Sequence, residues 1–282
     1  MTVAESLEGQ PCDLMIALHA KRSATSIKRF GRRHPDKPMV VVMTGTDLHV
    51  DMKRSNVVAE SLSYADRIVL LEPEAAKLLP LNFRKRVDVI YQSASRVVNP
   101  PKKLTRWFEI TLVGHLRPVK DPFRTAEAAN LLPMTSRIRV VHFGKALSAQ
   151  MEKRAKRETE VNSRYQWLGR VPHGKAQRRL ARSRLTVLSS LVEGAPSAIS
   201  EAVVNDVPIL ATRIDASIGL LGADHPGLFE VGDTEGLAQL MFRAETDKKF
   251  YSILLAAGKK LKPKFSIEKE IKSWRDEIAM FF

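Results

Sequence analysis

Leu191-Val-Glu-Gly-Ala-Pro-Ser-Ala-Ile-Ser-Glu-Ala202 decides how the chain is read. It runs from a loop straight into a helix. Pro196 suits a first helical turn, where its missing N–H costs nothing, and Ser197 is a cap or a phosphate contact. A helix N-terminus offers free backbone N–H groups and a partial positive charge, so it attracts phosphate. Glu193 lies before that terminus and Glu201 about a turn inside it. Eight residues of helix rise roughly 12 Å, so the two carboxylates can bracket a diphosphate. They can also accept hydrogen bonds from hydroxyl-rich rings at its ends. The spacing by itself fits a solvated glutamate and an ordinary capping residue equally well.

Working outward, short apolar runs alternate with helical patterns. Before the quoted stretch, strands are expected at 13–20, 38–44, 67–71 and 87–92, and helices at 22–34, 57–65 and 74–84. Val97-Val-Asn-Pro-Pro-Lys-Lys103 reads as a linker, because two prolines break the pattern without apolar content. The alternation then restarts, with strands at 108–113, 137–143, 165–168, 185–190, 207–212 and 228–231. Helices are expected at 123–132, 146–161, 175–183, 196–205, 234–246 and 248–260. This is α/β chemistry: parallel sheets with helices on both faces. It predicts two doubly wound, Rossmann-like domains, 1–98 and 99–265, with ligands at the carboxyl ends of the strands. Residues 266–282 are expected to form an amphipathic helix, with Ile267, Ile271, Trp274, Ile278 and Phe281 or Phe282 close to helical spacing. Gly114, Gly144, Gly169 and Gly194 each follow a strand, where a glycine lets backbone approach a ligand.

Composition excludes several classes. The 282 residues contain no run of about 18 apolar residues, so no membrane span is expected. The polar, acidic start is not a secretory signal. The single Cys12 excludes an internal disulfide framework, lacks partners for a zinc site and fits a reducing cytoplasm. A net charge of +15 favours anionic partners. Aromatic residues are only 6% of the chain and do not interleave with the basic clusters, so nucleic acid is not an expected partner.

Val113-Gly-His-Leu-Arg-Pro-Val-Lys-Asp-Pro122 is the second motif. It puts a glycine turn, Arg117 and Lys120 at the top of a strand. Arginine can grip phosphate bidentately and lysine acts as a mobile point charge. With this motif beside Glu193 and Glu201, the chain resembles the GT-B glycosyltransferases of the large retaining class that use nucleotide sugars. Their Gly-x-Leu-x-x-x-Lys and Glu-x7-Glu elements stand here as Gly114 to Lys120 and Glu193 to Glu201.

The resemblance implies a two-domain fold with an interdomain cleft. It implies that Lys120 and Arg117 neutralise the diphosphate leaving group, that Glu193 lies by the donor sugar, and that Glu201 binds ribose hydroxyls. Arg170 and Val171, in Trp167-Leu-Gly-Arg-Val-Pro-His173, would line the base. Gly114, His115, Gly194 and Ser197 complete the donor-binding set. His115 and His173 also fit plain structural hydrogen bonding.

A closer resemblance, to the selenosugar synthases of selenoneine biosynthesis, rests on several stretches. These are Ala17-Leu-His-Ala-Lys-Arg-Ser23, Thr44-Gly-Thr-Asp-Leu48, Gln92-Ser93, Gly219-Leu-Leu-Gly222 and Val231-Gly-Asp-Thr234, together with the Gly114 motif. It implies UDP-N-acetylglucosamine and selenophosphate as substrates, UDP as product and no cofactor. Lys21 and Arg22 would hold the anionic acceptor, with His19 nearby. Thr44, Thr46 and Asp47 would contact acceptor or sugar. His19 equally fits a strand-end hydrogen bonder, and Asp47 a cap or turn residue.

No metal is expected, since Asp47-Leu-His-Val-Asp51 has the wrong spacing for an Asp-x-Asp metal motif. The sequence departs from this family in two places. Gly194-Ala-Pro-Ser197 replaces the usual glycines and asparagine, and a βα unit of roughly 30 residues is expected to be absent ahead of Ala17. The competing readings are a glycosyltransferase with a hydroxyl or lipid acceptor at an anionic membrane face, a basic nucleic-acid-binding module, and an inactive homologue. The last is motivated by the short N-terminus.

Overall fold

The computed structural model describes residues 3–282 apart from Glu8 and Gln10. It divides into two compact units, residues 1–92 with 270–282, and residues 93–269.

In the first unit the order is β1 (Met15–Leu18), α1 (Ala24–Arg33), β2 (Met39–Val42), α2 (Met52–Arg54), α3 (Val57–Ser63), β3 (Arg67–Leu70), α4 (Leu81–Arg84) and β4 (Val87–Val89). All four strands are parallel and lie in the order β1-β2-β3-β4. Every residue of Met39-Val-Val-Val42 is buried, as a parallel strand covered on both faces requires. Ile27 and Phe30 from α1, Leu62 from α3 and Leu79 and Phe83 close one core over Val41, Ile68 and Leu70.

The single helix expected over 74–84 is instead a tight turn at Glu74–Leu78 followed by α4. Pro80 stands between them. It has no N–H to give and cannot follow a helical residue without a clash.

The second unit is built from β5 (Phe108–Val113), α5 (Arg124–Asn130), β6 (Ile138–Phe143), α6 (Ala149–Val161), β7 (Tyr165–Trp167), α7 (His173–Arg182), β8 (Leu185–Leu188), α8 (Ser197–Val204), β9 (Ile209–Thr212), α9 (Asp215–Leu221), β10 (Leu228–Phe229), α10 (Thr234–Thr246) and α11 (Lys248–Leu261). Its parallel sheet has the order β10-β9-β8-β5-β6-β7. The strand order therefore reverses between β5 and β8, which are hydrogen-bonded neighbours.

Residues 97–103, read as a linker, are held onto this unit. The Val97 N–H donates to Asn205 Oδ1 at 2.9 Å, and Arg178 reaches the Val98 and Asn99 carbonyls at 3.4 and 3.5 Å. Caps set the long helices. Asp233 accepts from the Gly236 N–H at 2.8 Å, and Asp247 from Lys249 and Phe250 at 2.9 and 3.0 Å. Those backbone bonds, Phe250's first, hold the Asp247 carboxyl below its ordinary range.

The last helix, α12 (Ile267–Ala279), passes from one unit into the other. Its apolar positions are not its buried ones. Ile267 and Ile271 are exposed, Trp274 and Ile278 half-buried, and Glu277 buried. Glu277 accepts from Arg67 Nε at 3.2 Å. Among the described residues no helix is long and apolar enough to cross a membrane.

Candidate functional site

Ligands of open parallel sheets bind where the strand order reverses, outside the carboxyl ends. Here that point lies above β5 and β8, and the two motifs are the loops that leave those strands. The loop after β5 carries Gly114, His115, Arg117 and the turn Pro118–Lys120. The loop after β8 carries Ser189, Ser190 and Glu193.

These loops are tied together. The Leu191 N–H donates to the Val119 carbonyl at 2.9 Å. The Ser189 hydroxyl donates to the Asp121 carbonyl at 2.9 Å. Lys120 Nζ pairs with Glu193 Oε1, and the Ser190 hydroxyl donates to the same oxygen at 2.6 Å. Thr212, at the end of β9, steadies Ser190 through its carbonyl at 2.6 Å. Glu193 is largely covered and Lys120 more open, while Arg117 is exposed. Gly194 is half-buried.

The helix after Glu193 begins one residue later than expected. Pro196 occupies the cap position in an extended conformation and Ser197 is the first helical residue. Ser197 is therefore not the cap, and no side chain caps α8. The proline side chain offers no acceptor, and the Pro196 carbonyl takes the Ile199 N–H at 3.0 Å, so the N–H groups of Ser197 and Ala198 at the start of α8 have no side-chain cap. Glu201 lies one turn inside, where its carboxylate accepts from His173 Nε2 at 3.2 Å. His173 opens α7, so this contact joins the loop after β7 to α8. In that same loop Arg170 is exposed, and Val171 packs against Val141, Phe143 and Ala176.

Sequence reasoning missed the layer beneath these loops. His142, in β6, is buried, and its Nε2 lies 3.1 Å from the Gly114 carbonyl. A carbonyl can only accept, so Nε2 carries the proton and Nδ1 accepts from the Tyr165 hydroxyl at 2.9 Å. Burial pushes the His142 pKa down to about 4, so the ring stays neutral in this tautomer. The signal was present: His142 is a titratable side chain, next to last in β6, at an otherwise apolar strand end, Val140-Val-His-Phe143.

Gly144 follows it. A Cβ there would fall 1.8 Å from the Gly114 carbonyl oxygen, so no larger residue fits. Its N–H donates to the Gly169 carbonyl and its carbonyl accepts from Trp167 Nε1, both at 2.9 Å. His115 Nδ1 accepts from the Lys145 N–H at 3.1 Å.

In the first unit, the loops after β1 and β2 bring His19, Thr46 and Asp47 together. His19 adopts a left-handed backbone, with φ of 68°. Its Nδ1 accepts from the Arg22 N–H at 3.4 Å, so Nε2 donates to Thr46 Oγ1 at 2.9 Å. Asp47 corrects the expectation that it contacts a ligand. It is fully buried, and its two oxygens accept from the backbone N–H groups of Ala20, Thr44, Gly45 and Leu48 at 2.8–3.2 Å. Burying a carboxylate demands such partners: Thr44, Gly45 and Leu48 donate to Oδ1 and Ala20 to Oδ2, and the side chain has no exposed surface. Lys21 lies 2.6 Å from Asp51 Oδ1 and Arg22 is exposed. Among the described residues no three His, Cys, Asp or Glu side chains cluster closely enough to hold a metal ion.

A model of the family described as glycosyl transferases group 1 matches residues 92–261. No curated protein matches the chain. Solved structures of similar fold include HepE from Anabaena in complex with UDP, with TM-score 0.76, 15% identity, and coverage of 95% of this chain and 79% of that one. Sucrose-phosphate synthase from Thermosynechococcus elongatus gives 0.75 at 14% identity, covering 95% and 74%. A mutant of TarM from S. aureus, in complex with fondaparinux, α-GlcNAc-glycerol and UDP, gives 0.73 at 15% identity. There 93% of this chain is covered but only 54% of TarM, so the chain spans about half of that protein.

Proposed function

The chain belongs to the glycosyl transferases group 1 family, and on that premise we propose that it transfers the sugar of a UDP-sugar to an anionic acceptor, selenophosphate. The observation that carries the donor half is the junction of Lys120 and Glu193 at the strand-order reversal. A lysine ammonium has three N–H donors. One serves Glu193 and two remain for diphosphate oxygens. Arg117 adds a second cation from the same loop, and the uncapped terminus of α8 adds backbone N–H groups. Together they stabilise the negative charge that builds on the departing UDP, the task that a preorganised polar site performs best. No metal ion is needed for that role when two cations stand there. Glu193 Oε2 orients a donor-sugar hydroxyl and Glu201 a ribose hydroxyl. That HepE and TarM hold UDP supports the choice of nucleotide.

Selenophosphate enters as an anionic nucleophile and needs no strong general base. The anomeric C–O bond to UDP breaks with its electron pair going to the β-phosphate oxygen, and a C–Se bond forms. The support for this acceptor is the set of stretches shared with selenosugar synthases, and the cations Lys21 and Arg22 beside the His19–Thr46 pair. The same stretches point to N-acetylglucosamine as the sugar. A hydroxyl acceptor is the second reading, favoured by the α-GlcNAc-glycerol found in TarM.

Incubation with UDP-N-acetylglucosamine and selenophosphate, followed by mass spectrometry, tests both. A selenium-containing sugar that appears with UDP, and vanishes in Glu193→Ala, supports the first reading. UDP release only with glycerol or sugar acceptors would replace it with the second.

A further inference from the structure

A cavity of about 490 Å³ opens in the second unit at the amino ends of β5, β6 and β7. Strands of this length span roughly 20 Å, so it lies at the opposite end of the sheet from Lys120 and Glu193. Its walls include Trp107, Arg139, Asn162, Arg164, Tyr165 and Arg179. The one carboxylate in the wall, Glu109, is already paired with Arg179 at 2.5 Å and Arg182 at 3.2 Å.

Arg139 and Arg164 have no carboxylate partner among the described residues. Arg139 lies 4.3 Å from the Trp107 ring centroid and donates to the Ser163 carbonyl. Arg164 donates to the Ser136 and Pro133 carbonyls at 2.7 and 2.8 Å. Arg179 Nε is buried with no acceptor. The edge thus carries more positive charge than its acids balance.

We propose that this cavity is a second ligand site, separate from the donor loops, which takes a small phosphorylated molecule. Its volume is that of a small-molecule pocket. Guanidinium forks match phosphate oxygens, and a concave site concentrates the field of unpaired charges. A nucleic-acid strand is disfavoured, because the site is a cavity and the Trp107 ring already serves two guanidiniums, Arg106 at 4.9 Å and Arg139.

The probe is inorganic pyrophosphate, added at constant ionic strength to the full chain saturated with UDP. The readout is the Trp107 indole N–H resonance, identified by its loss in Trp107→Phe. A saturable shift is expected, weakened at least tenfold in Arg139→Gln or Arg164→Gln and less than twofold in Lys120→Ala. A shift that does not saturate, that UDP abolishes, or that sodium chloride of equal ionic strength reproduces would overturn the site. Both arginines also hold backbone carbonyls, so if neither variant folds the wild-type titration decides alone. A chain that ignored UDP yet bound pyrophosphate through Arg139 would sink the donor reading and keep this one.

Discussion

Lys120 and Glu193, 73 residues apart in sequence, meet as an ion pair at the ends of two neighbouring strands. The pair sets two functions that substitution can separate. Lys120→Ala removes a cation from the leaving-group site, and kcat/KM for UDP release is expected to fall about 100-fold or more. Glu193→Gln keeps an acceptor for Ser190 and removes the negative charge beside Lys120. UDP itself should then bind at least as tightly, while turnover still falls about 100-fold. Calorimetry with UDP and a coupled UDP-release assay read the two effects. Weaker UDP binding in Glu193→Gln would mean that Glu193 contacts the nucleotide and not the sugar.

Glu201 is buried one turn inside α8 and His173 is mostly exposed. Losing a charged hydrogen-bond acceptor costs about 1.5–3 kcal/mol, which predicts roughly 10-fold to 100-fold weaker UDP binding in Glu201→Ala. His173→Ala removes only a positioning contact, so a change of less than fivefold is expected. Titration of UDP against both variants decides, and equal losses would move His173 into the ligand's contact set.

Much of this was legible in the chain because it depends on local pattern. Strand 108–113 matches β5 in full, and the glycine and proline punctuation placed both motif loops at strand ends. That Lys120 and Glu193 face each other was not legible, because it depends on the order of strands in the sheet. Sequence alternation says that strands are parallel, but not that β8 returns to lie beside β5. The helix Asp215–Leu221 escaped because it spans only seven residues and its apolar run, Ile218-Gly-Leu-Leu221, reads as no particular period. Asp47 was misread for a related reason. A carboxylate after a strand looks the same in sequence whether it meets a ligand or four backbone amides.

Asp47→Ala leaves the N–H groups of Ala20, Thr44, Gly45 and Leu48 without their acceptor. At about 1–3 kcal/mol for each buried donor left unmet, with water recovering part, a loss of about 3 kcal/mol is expected. Asp47→Asn keeps one acceptor and should cost less. Urea unfolding measures both. A change under 1 kcal/mol in Asp47→Ala, combined with lost turnover, would return Asp47 to the acceptor site.

His142 links stability, pH and the Gly114 loop. Its folded pKa is depressed to about 4, and that of His225 likewise, both mainly by burial. Between pH 6.5 and 4 the unfolded chain therefore binds protons that the folded chain refuses. Stability is fully present above pH 6.5 and is lost as the pH falls toward 4, by about 3 kcal/mol for each histidine. His142→Gln should flatten that slope by roughly half in urea midpoints measured across the window. Its side-chain amide can still donate to the Gly114 carbonyl, so UDP affinity is expected to stay within about threefold of the parent. His142→Phe fills the space without a donor and should raise KM for the UDP-sugar about tenfold, with kcat less affected, because the loop is displaced and its cations remain. Equal KM values in the Gln and Phe variants would leave His142 a packing residue with no hold on the loop.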